Sequence, residues 1–552
     1  MLMNILSRLK RLIAPSLVGR VGVSLLLLFP LSASGQFHLN FGNDSPIRKL
    51  QVAEMAITNL YVDSVDENKL VEDAIRGMIE KLDPHSAYST AKETKAMNEP
   101  LQGSFEGIGV QFNMVEDTLL VIQPVLGGPS EKVGILAGDR IVTVNDSAIA
   151  GVKMSKEEIM KRLRGKKGTK VELGIVRRGI NGHLKFTVTR DKIPVHTLDA
   201  AYMIRPEVGY IRIGSFGATT FDEFMEAYRK LQDQHATSLI LDLQDNGGGY
   251  LQSAVQIANQ FLQHGDLIVY TQGRNIPRQE FKAEGNGLLI PTSSSAAGTQ
   301  GEALPRVIVL VNEYTASAAE IVSGAIQDQD RGIVIGRRTF GKGLVQRPIE
   351  FSDGSMIRLT VAHYYTPSGR CIQKPYVKGE SKEYAEDIEK RFKHGELYSA
   401  DSIHFEDSLK TYTLRRHRPV YGGGGIMPDI FVPLDTLQYT PLHRQLAAKS
   451  IIINANLQYV DQNRKQLQSR YKTFEQFNRE FEVPQTLIDK IKAQAEKDKI
   501  KIKNPNEEWQ QTMPMLRTQL KALIARDLWD MSEYFAVMNQ QNHIVQRALK
   551  EF

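Results

Sequence analysis

Residues 307–320 read VIVLVNEYTASAAE, an apolar run followed directly by a turn and a group of small residues. The apolar run Val307–Val311 is typical of a strand that is buried on both faces. We predict that a helix of small residues begins at Ser317, so that the serine hydroxyl lies near the unpaired N–H groups of the helix start. Ser317 is therefore a candidate nucleophile. No histidine stands near it in the sequence, so another group must take its proton.

Further strands that lead into helices occur on both sides of this stretch. The strand-like runs are Val208–Ile213, Ser238–Leu243 and Gly332–Gly336, and the helical stretches are 220–231 and part of DNGGGYLQSAVQIANQFL at 245–262. Repeated strands of this kind predict a sheet with helices packed on it, and we expect a layered α/β domain over residues 192–436. Catalytic groups in such folds tend to lie at strand ends.

A candidate base for Ser317 is Lys342 in the segment FGKGLVQ, which follows the serine by 342 minus 317, or 25, residues. The glycines on either side would allow the backbone to pack closely and to exclude water. Desolvation can lower the pKa of a lysine from ~10.4 by up to ~3 to 5 units, and a neutral amine accepts a proton. Gln346 would face the same way on a strand and could orient the amine. Spacing alone leaves open a surface lysine in a glycine turn and a serine that only caps its helix.

Residues 101–191 form a second predicted unit, with short strand-like runs and one helix. The runs lie near 109–112, 118–123, 139–144, 169–176 and 184–189, and the helix is 155–163. FEGIGV (105–110) and VLGGPSEKVGILAGDRIVTVND (125–146) resemble a bacterial PDZ domain. In such a domain the backbone N–H groups of Gly107, Ile108 and Gly109 would hold the carboxylate of a peptide. Taken alone, the glycine pair would be weak evidence, since such pairs are more often only tight turns.

Three segments together resemble the C-terminal processing peptidases, also called tail-specific proteases, which are Ser-Lys serine peptidases with a PDZ domain. The segments are TASAAEIVSGAIQDQDRGIVIGRRTFGKGLVQ (315–346), LDLQDNGGGYL (241–251) and LVEDAIRGMIEKLDPHSAY (70–88). The resemblance extends from about residue 61 to 373. It implies a peptidase core similar to the ClpP/crotonase-like fold. The implied roles are Ser317 as nucleophile, Lys342 as general base, Gln346 as its orienting partner, and Gly248 or Gly249 with Ala318 as oxyanion hole.

Some positions depart from the family pattern or carry a role that the resemblance does not decide. Gln244 stands where the family usually has arginine, Gly247 where it often has proline, and Ala319 where it has a second serine. Asp328 matches an acidic position that is sometimes given a supporting role, but a structural cap or salt bridge is the interpretation we favour. We likewise interpret His85 as a turn or packing residue and not as a catalytic one.

The two ends of the chain differ from the rest. Basic residues precede the apolar run Val21–Leu31, which predicts a signal peptide over residues 1–35, with an uncleaved membrane anchor as the alternative.

The chain has 69 Lys and Arg and 63 Asp and Glu, a net charge of +6. Without the four basic residues of the leader this becomes 65 minus 63, or +2, so nucleic acid is not an expected partner. Residues 36–100 and 437–552 are predicted to be helical domains.

Cysteine and histidine usage limits the chemistry further. Cys371 is the only cysteine, so no internal disulfide forms, and no HExxH or Cys/His cluster suggests a metal cofactor. We therefore expect a periplasmic endopeptidase, free or associated with the membrane, that acts without a cofactor on proteins with exposed C-terminal tails. Substrate handling, docking of an adaptor protein and self-association are candidate roles of the C-terminal helices. The alternative is a non-catalytic peptide-binding or chaperone protein on the same scaffold.

Overall fold

Two helices begin the part of the chain that this computed structural model describes, which comprises residues 45–289 and 306–552. Helix α1 is Pro46–Leu60, with proline at its first position, and helix α2 is Glu67–Ile79. The chain divides into two units, Met1–Val71 and Glu72–Phe552. The predicted signal peptide lies outside the described residues. Among the residues that are described, no helix is long and apolar enough to cross a membrane.

The predicted PDZ region is a sheet with a helix against it. Its elements are β2 Ser104–Gly107, β3 Val110–Val115, β4 Thr118–Pro124, α4 Pro129–Lys132, β5 Arg140–Val144, β6 Ser147–Ala148, α5 Lys156–Leu163, β7 Lys170–Val176, β8 Leu184–Thr189 and β9 Asp191–Pro194. The sheet order is β3-β4-β5-β7-β8, with β6 beside β5, and β2 pairs separately with β9. Every predicted strand run and the predicted helix are present. The helix begins after Ser155, whose hydroxyl accepts a hydrogen bond from the N–H of Glu158.

The central sheet of the predicted peptidase core has six strands. They are β10 Leu198–Arg205, β11 Val208–Ile213, β12 Ser238–Asp242, β15 Val307–Val311, β16 Ile333–Gly336 and β21 Ile430–Phe431, in that order. All neighbours from β11 onward are parallel, and β10 is antiparallel to β11. Its helices are α6 Thr220–Asp233, α7 Leu251–Asn259 and α8 Ala318–Asp328. This is the layered α/β arrangement that the sequence predicted.

A second sheet lies beside the first and was not predicted. It contains β1 Ala87–Ser89, β13 Leu267–Gln272, β14 Gln279–Lys282, β17 Leu344–Glu350 and β18 Met356–Tyr365. The order is β1-β18-β13-β14, and β17 pairs with β18. Helix α3, Ala91–Leu101, follows β1. The region 36–100 is therefore not purely helical, because part of it adds a strand to the core.

The smaller elements are α9 Ser381–Ala385, α10 Asp387–Lys393, β19 Lys410–Tyr412, β20 Pro419–Tyr421 and the 3-10 turns Ala400–Ser402 and Asp407–Leu409.

The C-terminal region is helical, as predicted. Its helices are α11 Pro441–Ala448, α12 Ile451–Arg470, α13 Phe474–Glu480, α14 Gln485–Lys497, α15 Pro505–Leu528, α16 Met531–Met538 and α17 His543–Ala548. Most of them share a core of their own. Helix α17 differs, because Ile544 and Val545 are buried in one cluster with Tyr210 and Leu310 of the central sheet. The last helix therefore forms part of the peptidase core.

Helix α12 also contacts the PDZ region. The carboxylate of Asp461 pairs with Arg140 at 2.9 Å, and its carbonyl accepts a hydrogen bond from Arg178 at 3.2 Å. Arg464 donates to the carbonyl of Ile122 at 3.4 Å. The C-terminal helices thus touch both the PDZ region and the core, a pair of contacts that no local pattern in the sequence indicates.

Candidate active site

Ser317 occupies the junction between β15 and α8 in a strained backbone conformation. Its φ is +57° and its ψ is −117°, a combination that residues other than glycine rarely adopt. The N–H of Ser317 donates to the carboxylate of Glu320 at 2.7 Å, and its carbonyl accepts from the hydroxyl of Tyr364 at 3.1 Å. Helix α8 begins at the next residue, as predicted. The backbone is therefore held so that the serine lies at the helix N-terminus.

The side chain of Ser317 faces a cavity of about 560 Å³. The cavity lies between helix α3, the glycine loop after β12, the start of α8 and strands β17 and β18. It brings together six of the predicted site residues: Ser317, Lys342, Gln346, Gly248, Gly249 and Ala318. The other three, Gly107, Ile108 and Gly109, line a separate cavity in the PDZ region.

Lys342 lies just before β17 and is largely buried. Burial, together with the nearby charge of Arg358, lowers the pKa of Lys342 to about 8, although Glu320 acts in the opposite direction. Its Nζ donates to Oε1 of Gln346 at 3.1 Å. The two side chains meet even though the pairing of β17 with β18 is irregular just before Gln346. Among the described residues, no hydrogen bond joins Nζ of Lys342 to Oγ of Ser317.

Gln346 is itself fixed by a backbone carbonyl that the sequence analysis did not single out. Its Nε2 donates to the carbonyl of His85 at 2.5 Å. The turn that presents this carbonyl is held by Asp83, which accepts from the N–H of His85 at 2.9 Å and from the hydroxyl of Thr360 at 2.9 Å. Thr360 belongs to β18, so the DPHSAY turn is tied to the strand beside the cavity. Asp83 therefore positions Gln346 indirectly, through the carbonyl of His85.

The ring of His85 packs against the core, in agreement with our interpretation. Its Nε2 lies 2.8 Å from the hydroxyl of Tyr384. Burial and the charge of Lys342 lower the pKa of His85 to about 4, so the ring is neutral near pH 7. Only the carbonyl of this residue is directed to the site.

Glu320 is the most connected residue of the site, and the sequence analysis missed it. Its carboxylate is fully buried and accepts from the N–H groups of Ser317 (2.7 Å), Gly341 (2.8 Å) and Lys342 (2.9 Å) and from the hydroxyl of Thr339 (2.5 Å). Burial raises the pKa of this carboxyl to about 7. One side chain thus links the backbone of the candidate nucleophile to that of the candidate base. The signal was present, because Ser317 and Glu320 have the S-x-x-E spacing of a helix capping box.

The glycine loop after β12 packs directly against Ser317. A Cβ on Gly248 would lie 2.7 Å from Cβ of Ser317, and one on Gly249 would lie 2.0 Å from the carbonyl oxygen of Phe216, so neither position accepts a side chain. The N–H of Gly248 donates to Oδ1 of Asn246 at 2.8 Å. The N–H groups of Gly249 and Ala318 donate to no described residue. Of the two glycines, Gly249 is therefore the one with a donor available to a ligand.

Asp328 does not line the cavity. It is fully buried, pairs with Arg370 at 2.7 Å and accepts from the N–H and hydroxyl of Ser368 at 3.0 and 2.6 Å. This is the salt bridge that we favoured from the sequence. Within the described ranges, no group of three or more His, Cys, Asp or Glu residues could hold a metal ion.

The PDZ cavity is small, with a volume of about 70 Å³. The turn at its edge is fixed through the carbonyl of Ile108, which accepts hydrogen bonds from the N–H and the hydroxyl of Ser130 at 3.1 and 2.6 Å. Gly109 has a φ of +71°. Arg164 lines the same cavity and forms an ion pair with Glu99 of helix α3. Met97 and Asn98 of α3 line the cavity at Ser317, so one helix lines that cavity and also forms an ion pair with a residue of the PDZ cavity.

Comparison with known proteins identifies the family. The model of Peptidase family S41 matches residues 207–382, a PDZ domain matches 107–189, and the N-terminal domain of the activating protease CtpB matches 33–94. A family of unknown function, DUF8443, matches 442–530. The carboxy-terminal processing protease CtpA of Bacillus subtilis (strain 168) is 37% identical over 392 residues, which cover 69% of this chain and 80% of the relative. This chain belongs to the carboxy-terminal processing protease family.

Two further relatives agree with this assignment. The carboxy-terminal processing protease CtpB of Bacillus subtilis (strain 168) is 32% identical over 66% of this chain and 72% of its own length. A carboxy-terminal-processing protease of Bartonella bacilliformis is 36% identical over 57% of this chain and 69% of its own length. The chain is thus a serine-type peptidase with a PDZ domain, and the family predicted from the sequence motifs is confirmed.

Proposed function

We propose that this protease is an exported endopeptidase that binds the C-terminal tails of proteins and cleaves them with Ser317 as nucleophile and Lys342 as general base. The observation that supports this proposal is the single cavity shared by a strained serine, a lysine with a lowered pKa and two N–H groups without an acceptor among the described residues. The predicted signal peptide is the basis for the export part of the proposal. We propose the periplasm as the compartment.

The chemical step follows from the protonation state of Lys342. The neutral amine accepts the proton of Ser317 as its oxygen attacks the carbonyl carbon of the scissile bond. The N–H groups of Gly249 and Ala318 donate to the oxyanion, and each such donor is worth roughly 3 to 4 kcal/mol. The resulting ammonium of Lys342 protonates the leaving amine, which yields an acyl-enzyme. Water then releases the acyl group, with Lys342 again acting as base.

Substrate binding has to complete this arrangement. Nζ of Lys342 donates to Gln346, while no hydrogen bond among the described residues joins it to Ser317. Catalytic hydrogen bonds often tighten only in the substrate complex. We propose that a tail carboxylate binds the N–H groups of Gly107, Ile108 and Gly109, and that helix α3 transmits this binding to the catalytic cavity. The C-terminal helices are a candidate docking surface for an adaptor or for a second copy of the chain.

The class of activity is tested with a purified disordered protein that has an apolar C-terminus. Wild-type protein should cleave it, and Ser317→Ala should not, with products mapped by mass spectrometry. Ser352→Ala, in an exposed hairpin, is the matched serine control and should cleave normally. Equal cleavage by Ser317→Ala would contradict the proposed nucleophile. Export is tested separately, by N-terminal sequencing of the protein purified from the cell envelope. The sequence should begin at Gln36, and an intact leader would contradict cleavage at that position.

A further inference from the structure

The catalytic cavity contains a second cation, Arg358, which the proposed chemistry does not use. Arg358 lies in β18, where it pairs with Pro348 of β17 and Ala87 of β1. Its side chain lines the cavity together with Lys342 and Gln346. Its Nε is buried without a hydrogen-bond partner, and its guanidinium forms no hydrogen bond or ion pair with any described residue.

Other buried arginines of the core have acceptors. Arg370 pairs with Asp328 at 2.7 Å, and Arg212 pairs with Asp242 at 3.0 Å. Arg338, Arg391 and Arg464 also have a buried Nε without a hydrogen bond, but each donates through its terminal nitrogens, and Nε of Arg391 forms an ion pair with Glu396. Arg358 differs from all of them because none of its donors is used by a described residue. Arg358 is half-buried, and a partly desolvated guanidinium without a partner is unfavourable, so its position at a ligand cavity points to a ligand that supplies the acceptor.

The cavity offers no carboxylate of its own to Arg358. Among the described residues that line it, Lys342 and Arg358 are the only charged ones. The two carboxylates that act on the pKa of Lys342, Asp83 and Glu320, do not line the cavity, and each already accepts several hydrogen bonds. When Lys342 is neutral, Arg358 is the one remaining charge at the surface of the described cavity. An anionic group is therefore the complementary ligand.

We propose that Arg358 forms a carboxylate-binding subsite within the catalytic cavity, so that the protease favours substrates that place a carboxylate beside the scissile bond. The proposal rests on the proposed function, since the carboxylate belongs to a peptide bound for cleavage. A guanidinium can bind a carboxylate through two parallel hydrogen bonds. The carboxylate has two possible sources: an Asp or Glu side chain close to the cleaved bond, or the C-terminus of the tail.

Paired peptides test this proposal. A peptide that the wild-type enzyme cleaves is synthesised in matched versions, with Glu or Gln at each position within three residues of the cleaved bond, and with a C-terminal acid or amide. The readout is the ratio of kcat/KM between the carboxylate and the amide version. We expect wild-type enzyme to favour the carboxylate by at least about tenfold in one pair, as for a charge-assisted hydrogen bond. Arg358→Gln should bring this ratio close to one, and Arg358→Lys should keep part of it.

The ratio separates binding from the effect of Arg358 on the catalytic lysine. Removing the guanidinium also raises the pKa of Lys342, because Arg358 contributes to its lowering. That change slows both members of a peptide pair equally and cancels in the ratio. Arg347→Gln is the matched control, since Arg347 lies on the adjacent strand, is exposed and does not line the cavity. It should leave the ratio unchanged.

The two carboxylate sources give different results. If the Glu/Gln ratio falls in Arg358→Gln while the acid/amide ratio does not, the subsite binds an internal acidic side chain. If the acid/amide ratio falls instead, the subsite binds the C-terminus of the tail. Unchanged ratios in Arg358→Gln, or no carboxylate preference in the wild type at any position, would overturn the proposal. A large drop in the melting temperature of Arg358→Gln would also overturn the proposal, because it would indicate a structural role for Arg358.

Failure of the proposed function gives a different pattern. If wild-type protein cleaves no peptide, the subsite is measured by calorimetry on the Ser317→Ala protein with the same peptide pairs. Tighter binding of a carboxylate peptide, lost in the Ser317→Ala, Arg358→Gln double variant, would then support the subsite without cleavage. Equal affinities in both proteins would overturn it.

Discussion

A lysine acts as a base only in its uncharged form, and the surroundings of Lys342 make that form easier to reach. Its pKa lies at about 8, below the usual value because of burial and Arg358. Activity should therefore rise with pH as the amine deprotonates and level off above pH 8. Lys342→Arg keeps the positive charge but stays protonated, so we expect a loss of at least about a thousandfold in kcat. The check is the pH profile of kcat/KM between pH 6 and 9; a flat profile, or near-normal turnover by Lys342→Arg, would exclude this base.

Glu320 should matter for turnover more than for substrate binding. Glutamine in its place has one acceptor oxygen for four donors and turns its own N–H groups toward some of them. Each buried donor left unpaired costs about 1 to 3 kcal/mol, so kcat of Glu320→Gln should fall at least about tenfold with little change in KM. Steady-state kinetics on this variant and on the exposed control Glu350→Gln provide the measurement. A rise in KM alone would assign Glu320 to substrate binding.

The pKa of Glu320 adds to the acid limb of the pH profile. Since the carboxyl has a pKa of about 7, it gains a proton as the pH falls through neutrality and then offers one acceptor fewer to the backbone. Lys342 becomes charged over an overlapping range. Wild-type activity should consequently fall more steeply below pH 7 than the titration of one group allows. In Glu320→Gln, the slope of log kcat/KM against pH should return to one. The same slope in both proteins would mean that Glu320 does not titrate in this range.

Local sequence predicted the site residues that carry their own signal. Ser317 follows a buried strand, and Lys342 lies between glycines, so the sequence alone was enough to name both as candidates. His85 could not be connected to Gln346 in this way, because it contributes a backbone carbonyl and any residue type provides one. Arg358 was missed for a related reason: its significance is the lack of a partner among the described residues, which depends on how distant segments pack.

Helix α3 is the element that we propose as the link between peptide capture and the active site. Gly109→Val should disturb the capture turn, since a Cβ at Gly109 would lie 3.0 Å from Ile193 and 3.1 Å from Pro129 and the φ is +71°. If the PDZ region gates the active site, Gly109→Val should lower kcat and also raise KM. If the PDZ region only tethers the substrate, the substitution should change KM alone. Gly127→Val is the matched control for backbone strain, because its φ of +69° is equally unfavourable for valine while no atom lies within 4 Å of its Cβ; it should change kcat and KM less than Gly109→Val does.

Amidating the substrate tail tests the same element from the ligand side. Loss of the terminal carboxylate removes the group that the Gly109 turn is proposed to hold, so the kinetic change should resemble that of Gly109→Val. Matched acid and amide peptides supply the measurement. Unchanged cleavage in both experiments would reject capture by the PDZ region and make the C-terminal helices the leading candidate for recognition.

Strands were predictable where turns bound them on both sides. The PDZ strands are short runs with apolar residues between glycine or polar turns, so their predicted positions were close to those observed. Strand β17 reads LVQRPIE and is exposed over most of its length, which removes the usual apolar signal. Strand β1 has three residues and is stabilised by pairing with β18, more than 250 positions away. Such strands depend on long-range pairing, which local patterns do not contain.

Contacts of helix α12 should restrain the PDZ region within the whole molecule. Asp461→Ala leaves Arg140 without its partner, and we expect faster amide exchange in β4 and β5 by about tenfold, as for the loss of about 1.4 kcal/mol of local stability. Hydrogen-exchange mass spectrometry of peptides over 118–144 measures this. Asp146→Asn removes the exposed pair with Lys185 and serves as control, with no expected change. Identical exchange in the two variants would show that α12 does not restrain the PDZ region.

The burial of α17 beneath the central sheet bears on how the enzyme is made. Chains emerge from the ribosome in order, and early domains begin to fold while later ones are still being synthesised. The sheet that carries Ser317 has an open apolar face until Ile544 and Val545 arrive to cover it. Until α17 docks, a chain therefore carries Ser317 and Lys342 on a core with one apolar face uncovered. We therefore expect the docking of α17 to be a late step in folding, and proteolytic activity to appear only after it.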